Sequence, residues 1–124
     1  MGTVAAVVVE AKTWDGGGGN NNFSTGGNWD PNGAPANNGT ANLIFAGSTR
    51  TTPNANGAWS VASISFASGA SAFTIGGSTL TIGSGGLTVN STNAQTINNA
   101  LTLSADQTWD AASGNLVIAG TINP

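Results

Sequence analysis

The sequence contains no cysteine, histidine or tyrosine, and few of its 124 residues are charged. Without cysteine there can be no disulfide framework and no thiol chemistry. The only basic residues are Lys12 and Arg50, and the net charge is −3. Nucleic acids and anionic membrane surfaces are bound by clusters of positive charge, so neither is an expected partner. The apolar run Val4–Val9 is too short to span a bilayer, and no membrane insertion is expected.

The missing residue types also limit the possible chemistry. Without histidine and cysteine, the usual catalytic triads and zinc sites cannot be built. Two carboxylate pairs remain, Asp15 with Asp30 and Asp106 with Asp110, but aspartates in Gly- and Asn-rich segments more often hydrogen-bond turns. Asp15, Asn20, Asn22 and Asp30 could also supply oxygen ligands for calcium in a Gly-rich loop, but a cluster of Asn and Gly turns is favoured. We therefore predict a protein that is not an enzyme, with no catalytic residue, no cofactor and no metal.

Most of the chain is Gly, Ala, Asn, Thr and Ser, yet short apolar clusters recur from residue 43 onward. Each cluster alternates apolar and polar residues, as in Leu80-Thr81-Ile82 and Leu101-Thr102-Leu103. This period of two is typical of a strand with one buried face. Gly, Asn and Ser between the clusters favour tight turns.

The spacing of the clusters predicts the architecture. Consecutive clusters lie about seven residues apart, and every third one falls into a column at about 21 residues. We predict four columns: Ile75, Ile97 and Ile118; Ile82 and Leu103; Leu80, Leu101 and Ile122; and Phe45, Phe66, Val89 and Trp109. The pattern favours an all-β fold, a parallel β-solenoid (β-helix) of about four triangular coils. A β-sandwich is the alternative, but it requires longer strands and regular hairpin turns.

The first third of the chain departs from this repeat. Residues 1–12 read as an extended apolar strand that pairs either with its own solenoid or with a neighbouring subunit. Residues 13–41 are rich in Trp, Gly and Asn and predict a cap, because atypical terminal repeats shield the core of a solenoid. Trp14, Phe23 and Trp29 are the expected plug. Residues 42–124 form the predicted coils.

The motifs TWDGGGGNNNFSTGGNWDPNG and ISFASGASAFTIGGSTLTIGSGGLTV lie within a region, Thr13 to Ile122, that resembles the autotransporter-associated β-strand repeat proteins. These are bacterial secreted or surface proteins with β-solenoid passengers. The resemblance implies a right-handed solenoid, export to the cell surface or beyond, and a passenger or scaffold role. It implies no catalytic residues.

These features predict a structural extracellular protein, the subunit of a self-assembling filament or surface fibre. The chain itself is the expected partner, through head-to-tail contacts and strand addition. The residues expected to assemble are Val4, Val7, Val8 and Val9 at one end and Leu116, Ile118 and Ile122 at the other. The alternative is one module of a surface adhesin or passenger that binds an extracellular polysaccharide, with stacking on Trp14, Trp29 and Trp59.

Overall fold

The computed structural model describes residues 10–124. Apart from one 3₁₀ turn at Gly26–Asn28, the regular structure of this part of the chain is all strand. The strands are β1 (Glu10–Trp14), β2 (Trp29–Asp30), β3 (Ala41–Phe45), β4 (Asn54–Ala55), β5 (Trp59–Phe66), β6 (Thr74–Gly77), β7 (Leu80–Val89), β8 (Gln95–Ile97), β9 (Leu101–Leu103), β10 (Trp109–Asp110), β11 (Leu116–Ile118) and β12 (Ile122–Asn123).

The strands stack into three parallel faces, which confirms the predicted β-solenoid of about four turns. The first face contains β1, β3, the second halves of β5 and β7, and β10. The second face contains β4, β6, β8 and β11. The third face contains the first halves of β5 and β7, followed by β9 and β12. Within residues 10–124, only β2 runs antiparallel, beside β1.

Three of the four predicted columns are confirmed by the strand register. Ile75, Ile97 and Ile118 are aligned on the second face. The Leu80 and Ile82 columns are aligned on the third face, where Leu80 pairs with Leu101, Leu101 with Ile122, and Ile82 with Leu103.

The fourth column is only partly right. Phe45, Phe66 and Val89 are aligned as predicted, but Trp109 pairs with Leu87 and not with Val89. The register is displaced by two residues, and because side chains alternate with a period of two, Trp109 still points inward. The residue count therefore predicted correctly that Trp109 points inward, but it predicted the wrong neighbour for Trp109 in the preceding coil.

The buried side chains of the inward columns form one continuous core. Leu43, Ile64 and Leu87 are fully buried and follow one another up the first face. Each such side chain contributes about 1.5–3 kcal/mol relative to an exposed one. The outward threonines are half-buried, as expected for β-branched polar residues on a sheet surface; they are Thr74, Thr81, Thr88 and Thr102.

Polar side chains link each coil to the one before it. Gln95 is fully buried; its Oε1 accepts from the Phe73 amide at 2.7 Å and its Nε2 donates to the Ser71 carbonyl at 2.8 Å. Ser91 Oγ donates to the carbonyl of Ala70 at 2.6 Å in the same way. These bonds satisfy backbone groups at the corners, where the strand ladder is interrupted.

The predicted boundary between residues 12 and 13 lies inside a strand. β1 pairs with β3 from Glu10↔Ala41 to Trp14↔Phe45. Residues 10–12 therefore belong to the first coil of their own chain, and the side chain of Lys12 occupies an inward position above Leu43. Pairing with its own solenoid is one of the two alternatives expected for this strand, whereas the inward position of Lys12 was not predicted, because a lysine interrupts the apolar alternation.

The close stacking of coils can be tested at two glycines that share the left-handed backbone region. Gly86 (φ 66°) lies against the Thr108 carbonyl of the next coil, so that a Cβ would overlap that oxygen, whereas a Cβ at Gly47 (φ 73°) would meet nothing within 4 Å. We expect Gly47→Ala to lower the free energy of unfolding by about 1 kcal/mol. Gly86→Ala should cost at least about 2 kcal/mol more, because the two coils must separate. Urea unfolding of the two variants measures the difference, and equal losses would contradict stacking at this site.

Candidate functional site

The two ends of the solenoid differ, and this difference defines the candidate site. At the first coil, an aromatic cluster fills the interior. Trp14, Phe23 and Trp29 are fully buried, with ring centroids 5.1 Å apart for Trp14–Trp29 and 5.6 Å for Phe23–Trp29. Edge-to-face contacts of this kind stabilise a core beyond the area they bury. The predicted aromatic plug is confirmed.

Burial of the tryptophans corrects the glycan-stacking hypothesis. Trp14 and Trp29 have no exposed surface, and Trp59 is 9% exposed. Trp59 also packs edge-to-face on Phe23 at 5.7 Å. A sugar ring needs an accessible aromatic face, which none of the three provides. These large aromatic side chains lie in the core because each of them buries a large apolar area there.

The loop between β1 and β3, residues 15–40, covers the strand edges of all three faces at this end. We call it the cap loop. On the first face, β2 pairs with β1 through Thr13↔Asp30 and Trp14↔Trp29. On the second face, the Asn54 amide donates to the Asn21 carbonyl at 2.7 Å and the Phe23 amide donates to the Asn54 carbonyl at 2.9 Å.

The third face is covered by the last part of the cap loop. The Gly39 amide donates to the Ser60 carbonyl at 3.0 Å. Asn37 Oδ1 accepts from the Ser60 amide at 2.7 Å, and its Nδ2 donates to the Ala58 carbonyl at 2.9 Å. Because exposed strand edges are templates for further pairing, the cap loop protects this end from it.

The two basic residues hold the cap loop in place. Lys12 is buried, and its Nζ donates to the Pro31 carbonyl at 2.8 Å. Arg50 donates to the Gly16 carbonyl at 3.2 Å and to Asn21 Oδ1 at 3.1 Å. Both cations therefore donate hydrogen bonds to carbonyl and amide oxygens of the cap loop. The sequence analysis did not predict this role.

The last coil is uncovered at the opposite end of the solenoid. Within residues 10–124, β10, β11 and β12 each pair with one strand only, from the preceding coil. We call this surface, formed by β10, β11 and β12, the open end. Of the predicted assembly residues, Leu116 and Ile118 are half-buried and packed against the core, and Ile122 is 45% exposed. The structure thus brings these three residues together at one end.

The other predicted assembly residues, Val4, Val7, Val8 and Val9, lie outside the described residues. Two further residues lie at the open end that the sequence analysis did not include among the assembly residues. Trp109 is half-buried against the core, and Val117, on the outer side of β11, is 46% exposed. A shallow depression of about 510 Å³ borders the same end, lined by Leu103, Ser104, Ala105, Asp106, Gln107 and Pro124.

Two of the aspartates considered for acid–base or calcium sites accept hydrogen bonds in turns. Asp15 Oδ1 accepts from the Gly17 amide at 2.9 Å, and Asp110 Oδ1 accepts from the Ala112 amide at 3.0 Å. Asp15, Asp30, Asp106 and Asp110 are all exposed. Among residues 10–124, no group of three or more acidic side chains converges as metal ligands would.

Comparison with known proteins adds no assignment: no protein-family model, curated protein or solved structure matches this chain. The resemblance to autotransporter-associated repeats therefore stays a prediction. No helix in residues 10–124 has the length and apolar character needed to cross a membrane.

The cap can be tested through Asn28, whose fully buried side chain makes three hydrogen bonds. Oδ1 accepts from the Gly18 amide at 2.9 Å, and Nδ2 donates to the carbonyls of Asn20 at 2.9 Å and Asn22 at 3.0 Å. We expect Asn28→Ala to lower the free energy of unfolding by about 3 kcal/mol, because it leaves buried backbone groups unpaired. The matched control is Asn38→Ala, an exposed asparagine of the same loop, for which we expect less than about 1 kcal/mol. A small loss for both variants in chemical unfolding would show that Asn28 does not hold the cap.

Proposed function

We propose that the chain is a structural module of an extracellular β-solenoid rod, extended end-on by a further coil stacked on its open end. The observation that carries this proposal is the exposure of core positions at that end. Leu116, Ile118 and Ile122 continue columns whose earlier members are fully buried, Ile75 and Leu80 among them. A further coil would bury them as each coil of the solenoid buries the one below it.

The bonds between coils support a scaffold role. From β3 onward, each coil is joined to the next by parallel strand pairs on three faces, and side chains such as Gln95 and Ser91 add bonds at the corners. Repeats that contact only their neighbours form rods of adjustable length, with stability that grows as interfaces are added. Such a rod suits display or spacing of other parts outside a cell.

The extracellular location belongs to the proposal. It is supported by the resemblance to bacterial surface and secreted repeat proteins, and by a composition in which 6% of residues are charged. In this reading the chain is a passenger-type module, with the cap loop closing one end of the rod.

A second candidate is a subunit that assembles into a filament without any other polypeptide. It is favoured by the two large apolar side chains exposed in the described structure, Val117 and Ile122, which both lie at the open end. A head-to-tail filament also needs a partner surface at the other end, and the cap loop already covers those strand edges. The filament thus requires strand addition by residues 1–9. Deletion of residues 1–9 should abolish filaments in negative-stain electron micrographs, and filaments that survive it would contradict strand addition.

End-on extension is tested by appending a coil in register. Since Ile122 pairs with Leu101, a second copy of residues 104–124 placed after Pro124 continues the repeat. We expect the extended protein to unfold at higher temperature than the original. Its urea m-value should rise in proportion to the added buried surface. The measurements are calorimetry and urea unfolding.

The control carries the same extension with the appended equivalents of Trp109, Leu116 and Ile118 changed to serine. It adds the same length without the apolar column, so neither the midpoint nor the m-value should rise. If the intact extension behaves like this control, the open end does not accept a coil and the proposal is wrong.

A further inference from the structure

We propose that Asn56 is a site of spontaneous deamidation, a covalent modification for which the folded chain itself supplies the attacking atom. The backbone nitrogen of Gly57 adds to Cγ of Asn56, the Cγ–Nδ2 bond breaks, and a succinimide ring forms. The proton of the Gly57 amide passes through solvent to Nδ2, which leaves as ammonia. Water then opens the ring to aspartate or isoaspartate. This inference goes beyond the proposed scaffold role, because it depends neither on end-on stacking nor on an extracellular location.

The chain offers three sequence steps at which this reaction is favoured. Glycine after asparagine favours ring closure, because no Cβ shields the attacking nitrogen. All three asparagines are exposed, so access of water does not distinguish them. The three steps are Asn32-Gly33, Asn38-Gly39 and Asn56-Gly57.

The attacking nitrogen distinguishes the three steps. The Gly33 amide donates to the Gly26 carbonyl at 3.1 Å, and the Gly39 amide donates to the Ser60 carbonyl at 3.0 Å. A nitrogen held in this way attacks only in the fraction of molecules in which that segment has opened locally. Within residues 10–124, the Gly57 amide donates to no backbone carbonyl. The reaction at Asn56 therefore needs no opening of the fold.

Ser24 of the cap loop assists the chemistry at Asn56. The Ser24 amide donates to Asn56 Oδ1 at 3.1 Å, and this oxygen gains negative charge when the Gly57 nitrogen adds to Cγ. A donor placed at a developing charge stabilises it. The Ser24 hydroxyl lies 2.6 Å from Nδ2 of Asn56, the leaving nitrogen. Both residues are exposed, so the side chain can turn toward Gly57 without losing core packing.

Asn38 shows that side-chain polarisation is not enough by itself. Its Oδ1 also accepts hydrogen bonds, from the amide of Thr40 at 3.2 Å and from the hydroxyl of Thr40 at 2.6 Å. The two sites differ in the following nitrogen, which is bonded at Gly39 and free of backbone partners within residues 10–124 at Gly57. The state of that nitrogen therefore decides which site reacts in the folded chain.

The modification changes the attachment of the cap loop. Asn56 lies at the corner between β4 and β5, and its two bonds to Ser24 join this coil to the cap loop. Aspartate keeps the acceptor and loses the Nδ2 donor. Isoaspartate also adds one carbon to the main chain at this corner. Since a neutral amide becomes a carboxylate, the net charge of −3 becomes more negative by one.

Site-resolved kinetics are the first test. The chain is incubated at mildly alkaline pH, folded in buffer and unfolded in urea, and deamidation at each asparagine is followed by peptide mapping with mass spectrometry. We expect folding to slow the reaction at Asn32 and Asn38 by at least about tenfold, and to change the rate at Asn56 by less than about threefold. Comparing each residue with itself removes the effect of its sequence neighbours. Equal protection of all three sites, or a faster reaction at Asn32 or Asn38 in the folded chain, would overturn the inference.

Two matched variants identify the source of the charge change. Asn56→Gln should remove most of the acidic species that ion-exchange chromatography resolves after incubation, because glutamine must close a larger ring. Asn38→Gln, at an exposed asparagine that also precedes glycine, should form that species at the original rate. The opposite result would place the reaction at Asn38. If Asn56→Gln loosened the fold, the same peptide maps would show faster reaction at Asn32 and Asn38, and the kinetics of the original chain would still decide the question.

The effect on the cap is measured on the modified chain itself. The purified acidic species should unfold at a lower urea concentration than the fresh chain, because the Nδ2 donor to Ser24 is lost. An unchanged midpoint would show that this bond does not hold the cap loop. None of these results depends on whether an appended coil stabilises the solenoid, so the scaffold proposal and the modification site stand or fall separately.

Discussion

The structure depends on one constraint: a strand in a parallel solenoid can satisfy its backbone groups only through the coils above and below it. Each coil of this chain has three short strands, and the pairs between coils run along all three faces. No coil is stable alone, because its inward side chains are covered by its neighbours. The constraint is met in the middle of the solenoid, and the two ends have to be treated differently.

At the first coil, the chain meets the constraint with a segment that does not follow the repeat. The cap loop brings a different kind of contact to each face: the antiparallel strand β2, backbone bonds from Asn21 and Phe23, and the side chain of Asn37. Its own polar groups are satisfied by the buried Asn28 and by Arg50. Aromatic packing beneath it replaces the aliphatic columns. The cap loop therefore prevents further strand pairing at the first coil, whereas the last coil presents three strand edges and an apolar centre.

The inward columns were predictable because they depend on periodicity alone. Side chains alternate with a period of two and the coil repeats at about 21 residues, so Leu80, Leu101 and Ile122 had to align. Trp109 shows the limit of this reasoning, because a two-residue change in a corner keeps its inward direction and changes its neighbour. Gln95 shows another limit. Its burial follows from bonds to Phe73 and Ser71 in the preceding coil, which no local pattern encodes.

The sequence by itself determined the fold class, the three-strand coil and the aromatic plug, because alternation and repeat length are properties of the chain read in order. Only the tertiary structure decided which residues are available at the surface. Trp14, Trp29 and Trp59 were candidates for ligand stacking, and the packing of the cap loop on the first coil makes them core residues. Lys12, which interrupts the alternation, became an inward anchor for Pro31. The sequence predicted a cap on the first coil, but only the packing decided which contacts cover each strand edge, because those contacts join residues far apart in the chain.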